Sequence, residues 1–224
     1  MKPELNELKL LVFDWDGTLM DSVDRIVASM QAASRDTDIK VPTVDEIKEI
    51  IGLGLKEALH TLFPHHDVST HEKLTEHYRQ HFVYESTVES RPFEGTRETL
   101  VNLVDSGYVL AVATGKARKG LDRALEETAL GDLFDITRCA DETRSKPHPQ
   151  MLHEIMDQLG VPASQTLMIG DTEYDLAMAN AANALSMGVS YGVHDKERLL
   201  THDPVACLDD IRDIRDWLPQ HRIR

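Results

Sequence analysis

Hydrophobic and polar positions follow three different patterns along the chain. Near the start, an uninterrupted apolar run from Leu10 to Phe13 predicts a strand that is buried on both faces. Between residues 21 and 89, apolar residues recur at three- and four-residue steps, which predicts helices only. From residue 90 onwards, short apolar runs alternate with helical segments, as in a parallel sheet that is covered by helices on both faces.

The helical segment is predicted to contain four helices. The second and the fourth each begin with a capping box, which pairs Thr43 with Glu46 and Ser69 with Glu72. No strand is predicted between residues 18 and 84. The apolar face of the fourth helix carries Leu74, Tyr78 and Phe82.

The length of the helical segment predicts a separate cap. A strand–helix–strand unit takes about thirty residues, whereas the second strand of this sheet begins only near Tyr108. The extra residues directly follow the first strand, so they must lie above the carboxyl edge of the sheet, where they can exclude water and select a substrate. We therefore predict an α/β fold with a parallel-sheet core of residues 1–20 and 90–224 and an all-helical cap of residues 21–89.

Composition narrows the range of partners. The formal net charge of −15 argues against nucleic acid or an anionic membrane as the main partner. No apolar run approaches the roughly 18 residues of a membrane span, and the first residues lack the apolar core of a signal peptide. The two cysteines are far apart and match no metal-binding spacing. We expect a soluble, cytoplasmic protein that binds neither nucleic acid nor membrane, and the sequence leaves its oligomeric state open.

Two carboxylates, Asp14 and Asp16, follow the first strand with one residue between them, and Gly17 then allows a sharp turn. In an open parallel sheet, ligands bind beyond the carboxyl ends of the strands. Two such acids suit a nucleophile beside a proton-transfer group, or a site for a cation that prefers oxygen ligands. A plain turn after a strand also explains them.

Three further strand ends offer polar residues. Thr114 and Gly115 follow the second strand, Lys146 lies beyond the third strand and outside the core, and Asp171 and Asp175 follow the fourth. Singly, they have ordinary explanations as a turn, a solvated charge, a helix cap and an acid in a first helical turn. In one parallel sheet they converge on one edge, where a nucleophile, a proton carrier, a cation and metal-binding acids would support phosphoryl transfer to water.

The order and spacing of these residues resemble the haloacid dehalogenase superfamily of phosphohydrolases over essentially the whole chain. The helical insertion resembles the C1-type cap of the phosphoglycolate-phosphatase branch, and the resemblance implies a Rossmann-like core. The family signatures correspond to Asp14-Trp15-Asp16-Gly17-Thr18, Ala113-Thr114-Gly115, Lys146-Pro147, and Gly170-Asp171 with Asp175.

The resemblance implies a role for each acid. Asp14 would attack phosphorus and become an aspartyl phosphate, while Asp16 would protonate the leaving oxygen and later deprotonate the attacking water. Asp171 would be the main carboxylate on Mg²⁺. Asp14, the main-chain carbonyl of Asp16, and Asp175 would complete the metal site, Asp175 either directly or through water.

The resemblance also assigns residues to the substrate. Thr114 and the N–H of Gly115 would hold phosphoryl oxygens, and Lys146 would neutralise charge between the phosphate and the nucleophile. Lys116, at the start of a basic run, is a candidate for binding a second anionic group of the substrate. Gly52 lies in a loop that would reach into the pocket from the cap, although a simple helix–helix turn also explains it.

The expected function is that of a Mg²⁺-dependent phosphatase for a small phosphorylated metabolite, with phosphoglycolate as the best guess. Pyrophosphate and sugar phosphates are alternative substrates, and a β-phosphoglucomutase-like isomerase, which shares all four signatures, is an alternative function. Phosphonate hydrolysis is a further alternative, because relatives of that kind can carry tryptophan where Trp15 stands and use a cap lysine, for which Lys56 is the candidate. Those relatives have alanine at the position of Asp16, so Asp16 favours ester hydrolysis.

Overall fold

The centre of the protein is a parallel sheet, seen in a computed structural model that describes residues 7–218. The strands are β1 (Leu10–Phe13), β2 (Met20–Asp21), β3 (Arg91–Pro92), β4 (Val109–Thr114), β5 (Ile136–Cys139), β6 (Thr166–Gly170), β7 (Leu185–Val189) and β8 (Ala206–Leu208). The six-stranded sheet has the order β5–β4–β1–β6–β7–β8, and every neighbouring pair in it is parallel. Strand β1 therefore lies in the middle, with β4 on one side and β6 on the other.

Helices surround this sheet and also form the inserted segment. The helices of the insertion are α1 (Val23–Asp36), α2 (Val44–Lys48), α3 (Leu55–Leu62) and α4 (Val68–Gln80), and a π-helical turn over His81–Glu85 follows α4. The helices of the core are α5 (Thr96–Asp105), α6 (Arg118–Thr128), α7 (Gln150–Leu159), α8 (Glu173–Ala181), α9 (Lys196–Leu200) and α10 (Asp213–Trp217). Within residues 7–218, no helix combines the length and the apolar character that crossing a membrane requires.

Strand β1 is buried on both faces, as its apolar run predicts. Leu11 and Phe13 pack into one hydrophobic layer, while Leu10 and Val12 pack into the layer on the opposite face of the sheet. All four side chains are fully enclosed. The alternation follows from the two-residue period of a strand, and it confirms the α/β fold with helices on both faces.

The inserted helices α1 to α4 have a hydrophobic core of their own. Its most deeply buried members are Met30, Ala33, Ile47, Leu59 and Leu74. The chain leaves the sheet through β2 and returns through β3, and these two strands pair antiparallel. The prediction of no strand between residues 18 and 84 is wrong at β2, because a two-residue strand is too short to produce an alternating pattern.

The two predicted helix starts in the cap have different outcomes. At α2 the capping box is confirmed, since the Thr43 hydroxyl accepts from the Glu46 N–H and the Glu46 carboxylate accepts from the Thr43 N–H. At α4 the predicted cap Ser69 is wrong. Asp67 caps this helix instead, because its carboxylate reaches the N–H of Thr70 at 2.8 Å.

Candidate active site

The carboxyl ends of β1, β4 and β6 bring the predicted residues together. Asp14 follows β1, Thr114 ends β4 and Asp171 follows β6, and all three side chains are buried. The N–H of Asp14 donates to the carbonyl of Ile169 at 2.9 Å, so the hydrogen bonds between β1 and β6 continue to the acid. The chain crosses from one side of β1 to the other at this point, which is where ligands bind in open parallel sheets.

Lys146 lies between two acids inside the protein. Its Nζ is 2.7 Å from Oδ1 of Asp14 and 2.6 Å from Oδ1 of Asp175, and its side chain has 0% exposure. The prediction that Lys146 lies outside the core is therefore wrong, because these two carboxylates offset the cost of burying its charge. Burial lowers the pKa of Lys146, but Asp14 and Asp175 raise it by more, so the amine stays charged.

Asp171 is held by hydrogen bonds to both of its oxygens. The Thr18 hydroxyl donates to Oδ1 at 2.7 Å, and the N–H of Val193 donates to Oδ2 at 2.9 Å. Gly17, at a φ of +83°, passes so close that a Cβ at this position would clash with the carboxylate. Burial, followed by the nearby charge of Asp175, raises the pKa of Asp171 to about 7.

Asp175 connects its own helix to Lys146. Its Oδ2 accepts from the N–H of Thr172 at 3.1 Å and from the Thr172 hydroxyl at 2.7 Å, at the start of α8. Its Oδ1 faces Lys146. Because both oxygens already have partners, Asp175 is placed to orient Lys146 as well as to face a metal. Thr172 and Thr18 were not predicted as site residues, although both are hydroxyl residues that adjoin predicted acids.

Three buried carboxylates form the single candidate metal centre found within residues 7–218. Asp14, Asp171 and Asp175 each offer one oxygen, and these atoms lie within 4.8 Å of one another. Burial raises the pKa of Asp14 well above its usual range despite the opposing effect of Lys146. Oδ2 of Asp14 is buried and accepts no hydrogen bond from the described residues. A divalent cation that prefers oxygen ligands, such as Mg²⁺, fits this excess of buried negative charge.

Asp16 lies at the entrance to this cluster and is partly exposed. The Ser22 hydroxyl donates to its Oδ1 at 2.6 Å, and Nζ of Lys116 lies 2.9 Å from its Oδ2. Lys116 also lies over the ring of Phe82, 4.7 Å from the centroid, so it connects the core to the cap. The sequence indicated Lys116 but not Ser22, whose position just before α1 is typical of a helix cap rather than of an active site.

The loop between α2 and α3 contacts the core beside Thr114. Gly52 and Leu53 line the cavity, and their carbonyl oxygens pack so closely on Gly115 that a Cβ there would clash with them. The N–H of Gly54 also donates to the Ser145 hydroxyl at 2.7 Å. The structure therefore places Gly52 next to Gly115, a proximity that a simple helix–helix turn does not require.

A sequence profile of haloacid dehalogenase-like hydrolases matches residues 11–189. The chain belongs to this family. The match begins in β1 and ends with β7, so it includes the whole cap and all the strand ends that form the site. The acids, the threonine and the lysine of this hydrolase thus lie within the part of the chain that the family shares.

Similar proteins cover nearly the whole hydrolase. The probable phosphatase IndB of Dickeya dadantii is 34% identical over 213 residues, which cover 92% of this chain and 91% of IndB. A phosphoglycolate phosphatase of Colwellia psychrerythraea is 30% identical, with 94% of this chain and 97% of that protein covered. The crystal structure of a predicted phosphoglycolate phosphatase from Haemophilus somnus has a TM-score of 0.86 over 94% of this chain and 98% of that chain. At 24% identity, this third likeness establishes a shared fold alone.

Lys56 of the hydrolase lies outside the cavity. Its side chain is exposed in the first turn of α3, and Leu55 and Ala58 line the cavity instead. The helical period explains this difference, because it directs neighbouring residues to different faces. Trp15 is buried in the core with its ring 6.4 Å from that of Phe134, so packing accounts for it. Neither residue of this pair is placed for phosphonate chemistry.

We expect Gly115→Ala to lower kcat/KM about tenfold to a hundredfold, because the added methyl group would push the cap loop away from the phosphate end of the cavity, and small misplacements of a catalytic site are costly. Gly120→Ala is the matched control, since a Cβ at Gly120 meets nothing within 4 Å. Steady-state kinetics of both variants test this expectation. A Gly115→Ala enzyme within twofold of the parent would show that close contact between loop and core is not required.

Proposed function

We propose that this hydrolase is a Mg²⁺-dependent phosphatase that cleaves a small phosphomonoester through an aspartyl phosphate on Asp14. The observation that carries the proposal is the buried position of Asp14, with one oxygen paired to Lys146 and the other free of hydrogen bonds. A carboxylate in this position has an oxygen available for attack and a cation beside it that allows a phosphate dianion to approach.

The residues around Asp14 supply the remaining parts of the reaction. The Thr114 hydroxyl and the N–H of Gly115 bind phosphoryl oxygens at the end of β4. Asp16 gives a proton to the leaving oxygen and then takes one from the attacking water, while Ser22 and Lys116 hold its carboxylate at the cavity entrance. Asp175 positions Lys146 between the nucleophile and the incoming phosphate.

Mg²⁺ would be held by Asp14, Asp171 and the main-chain carbonyl of Asp16, with Asp175 at the edge of the site. Its chemistry would be to offset the negative charge of the carboxylates and of the phosphoryl group. We further propose that residues 21–89 act as the cap of a core formed by residues 1–20 and 90–224, and that the enzyme works in the cytoplasm. The two free cysteines, Cys139 and Cys207, support that location.

Phosphoglycolate is the first substrate to test, because the Colwellia relative bears that name. The experiment measures phosphate release from phosphoglycolate, pyrophosphate, sugar phosphates and an aryl phosphate, with Asp14→Asn as the control. Release by the parent enzyme and none by Asp14→Asn would support the proposal. Absence of release from every substrate in the presence of Mg²⁺ would overturn it, and isomerisation of a sugar phosphate without release would favour a mutase.

We expect removal of divalent ions to abolish phosphate release and added Mg²⁺ to restore it, because buried Asp14, Asp171 and Asp175 carry more negative charge than Lys146 can offset. Mg²⁺ should also raise the melting temperature, since it relieves repulsion among these acids in the folded state only. Activity titrations and thermal melts in chelator and in Mg²⁺ measure both effects. Full turnover in excess chelator would contradict the metal assignment.

A further inference from the structure

The cavity above Asp14 is much larger than a phosphoryl group. It has a volume of about 630 Å³ and extends from Asp14, Thr114 and Gly115 into the space between the cap helices. Cavities of roughly 300 to 1,000 Å³ are typical of sites for ligands of drug size. A two-carbon phosphate ester would leave most of this space filled with water.

The far wall of the cavity is apolar. Its side chains come from α1, from α3 and from the loop between α2 and α3, and they are Ile26, Met30, Ile51, Leu53, Leu55 and Ala58. A carboxylate that lay against this wall would lose hydration without gaining a partner. The cations Arg79, Lys119 and Arg123 are exposed, so they lie at the rim of the cavity rather than at its end. The wall therefore favours an uncharged, apolar body.

Two aromatic rings complete this wall. Tyr78 ends its row on α4 and Phe82 lies in the π-helical turn, and their rings stack at a centroid distance of 5.7 Å and an angle of 28°. Burial raises the pKa of Tyr78, so its hydroxyl stays protonated. Within residues 7–218 this hydroxyl makes no hydrogen bond, which leaves one donor available inside an otherwise apolar region. Glu76 and Gln80 add polar groups to the cavity lining.

We propose that the substrate is a nucleoside 5′-monophosphate. A planar base would pack against the apolar and aromatic wall, the Tyr78 hydroxyl would meet a polar edge of the base or sugar, and the phosphate would reach Asp14. This inference rests on the proposed phosphatase function and adds the chemical class of the body that the phosphate is attached to. No covalent step beyond the hydrolysis already described is needed.

The test compares kcat/KM for purine and pyrimidine nucleoside 5′-monophosphates with kcat/KM for ribose 5-phosphate, which has the same phosphorylated sugar and no base. At least one nucleotide should exceed ribose 5-phosphate by about tenfold or more, because stacking of one base contributes on that scale. If no nucleotide exceeds ribose 5-phosphate while the aryl phosphate is hydrolysed, the inference is overturned and the phosphatase function stands. If the aryl phosphate is also untouched, the phosphatase function itself fails.

A variant at Gly120 tests where the base lies. Gly120 lines the cavity from α6, and its missing side chain points into open space. Gly120→Phe should lower kcat/KM for the nucleotide about tenfold and leave ribose 5-phosphate within twofold, because only the longer substrate needs the filled volume. Gly120→Ala, which gains helix propensity without filling the cavity, should leave both substrates unchanged. An equal effect of Gly120→Phe on both substrates, or no effect on either, would contradict the placement of the base.

Discussion

Replacing Lys146 with methionine is expected to lower turnover by about a hundredfold or more, the scale at which single electrostatic contacts act in enzyme sites. Methionine keeps most of the side-chain volume but removes the charge between Asp14 and Asp175. Burial would then raise the pKa of Asp14 further, so that less of the nucleophile is ionised, and the phosphate dianion would approach without a cation beside it. Single-turnover and steady-state rates with saturating Mg²⁺ measure the effect.

The stability of this variant needs its own control. Removing one partner from a buried ion pair costs about 3 to 5 kcal/mol, because the other charge remains without compensation. The double variant Lys146→Met, Asp175→Asn removes one of the two unpaired acids, so its melting temperature should recover in part while its activity stays low. Recovery of activity along with stability would show that Lys146 acts through folding rather than on the reaction.

Asp16→Ala is expected to separate the two halves of the reaction. An alkyl phosphate needs a proton on its leaving oxygen, so the variant should fail at the first step with such a substrate. An activated aryl phosphate leaves without that proton, so Asp14 can still be phosphorylated, but water then lacks a base. The variant should therefore release up to about one equivalent of phenol per site in a burst and then slow sharply.

Stopped-flow absorbance with the aryl phosphate measures this burst. Ser22→Ala is a useful comparison, because it removes one hydrogen bond to the Asp16 carboxylate and leaves the carboxylate in place. It should reduce the rate moderately on both kinds of ester and produce no burst. Steady aryl turnover by Asp16→Ala at the parent rate would show that Asp16 is not the proton carrier.

The sequence predicts the sheet and the positions of the reactive residues well, for a physical reason. Buried parallel strands such as β1 are continuous apolar runs, and their carboxyl ends share one edge of the sheet. The polar residues after β1, β4 and β6 therefore had to lie near one another, and Asp14, Thr114 and Asp171 do. Once the strands were recognised, convergence followed from topology rather than from any single motif.

Pairing between distant residues was not predictable in the same way. The burial of Lys146 depends on Asp175, which lies on another helix, and no local pattern reports that contact. The wall formed by Tyr78 and Phe82 depends on the π-helical turn after α4, which a helical period does not indicate. Strands β2 and β3 pair across the whole cap, so their two-residue ladder also has no local signal.

The central claim is that Asp14 carries the phosphoryl group during turnover. The most direct measurement mixes the Asp16→Ala variant with the aryl phosphate and Mg²⁺, quenches in acid within the burst, and maps the peptides by mass spectrometry. We predict one added phosphoryl group on the peptide that contains Asp14, in an amount that matches the phenol released. Phenol release at burst amplitude with free phosphate in equal amount, and with no phosphorylated peptide, would contradict the claim.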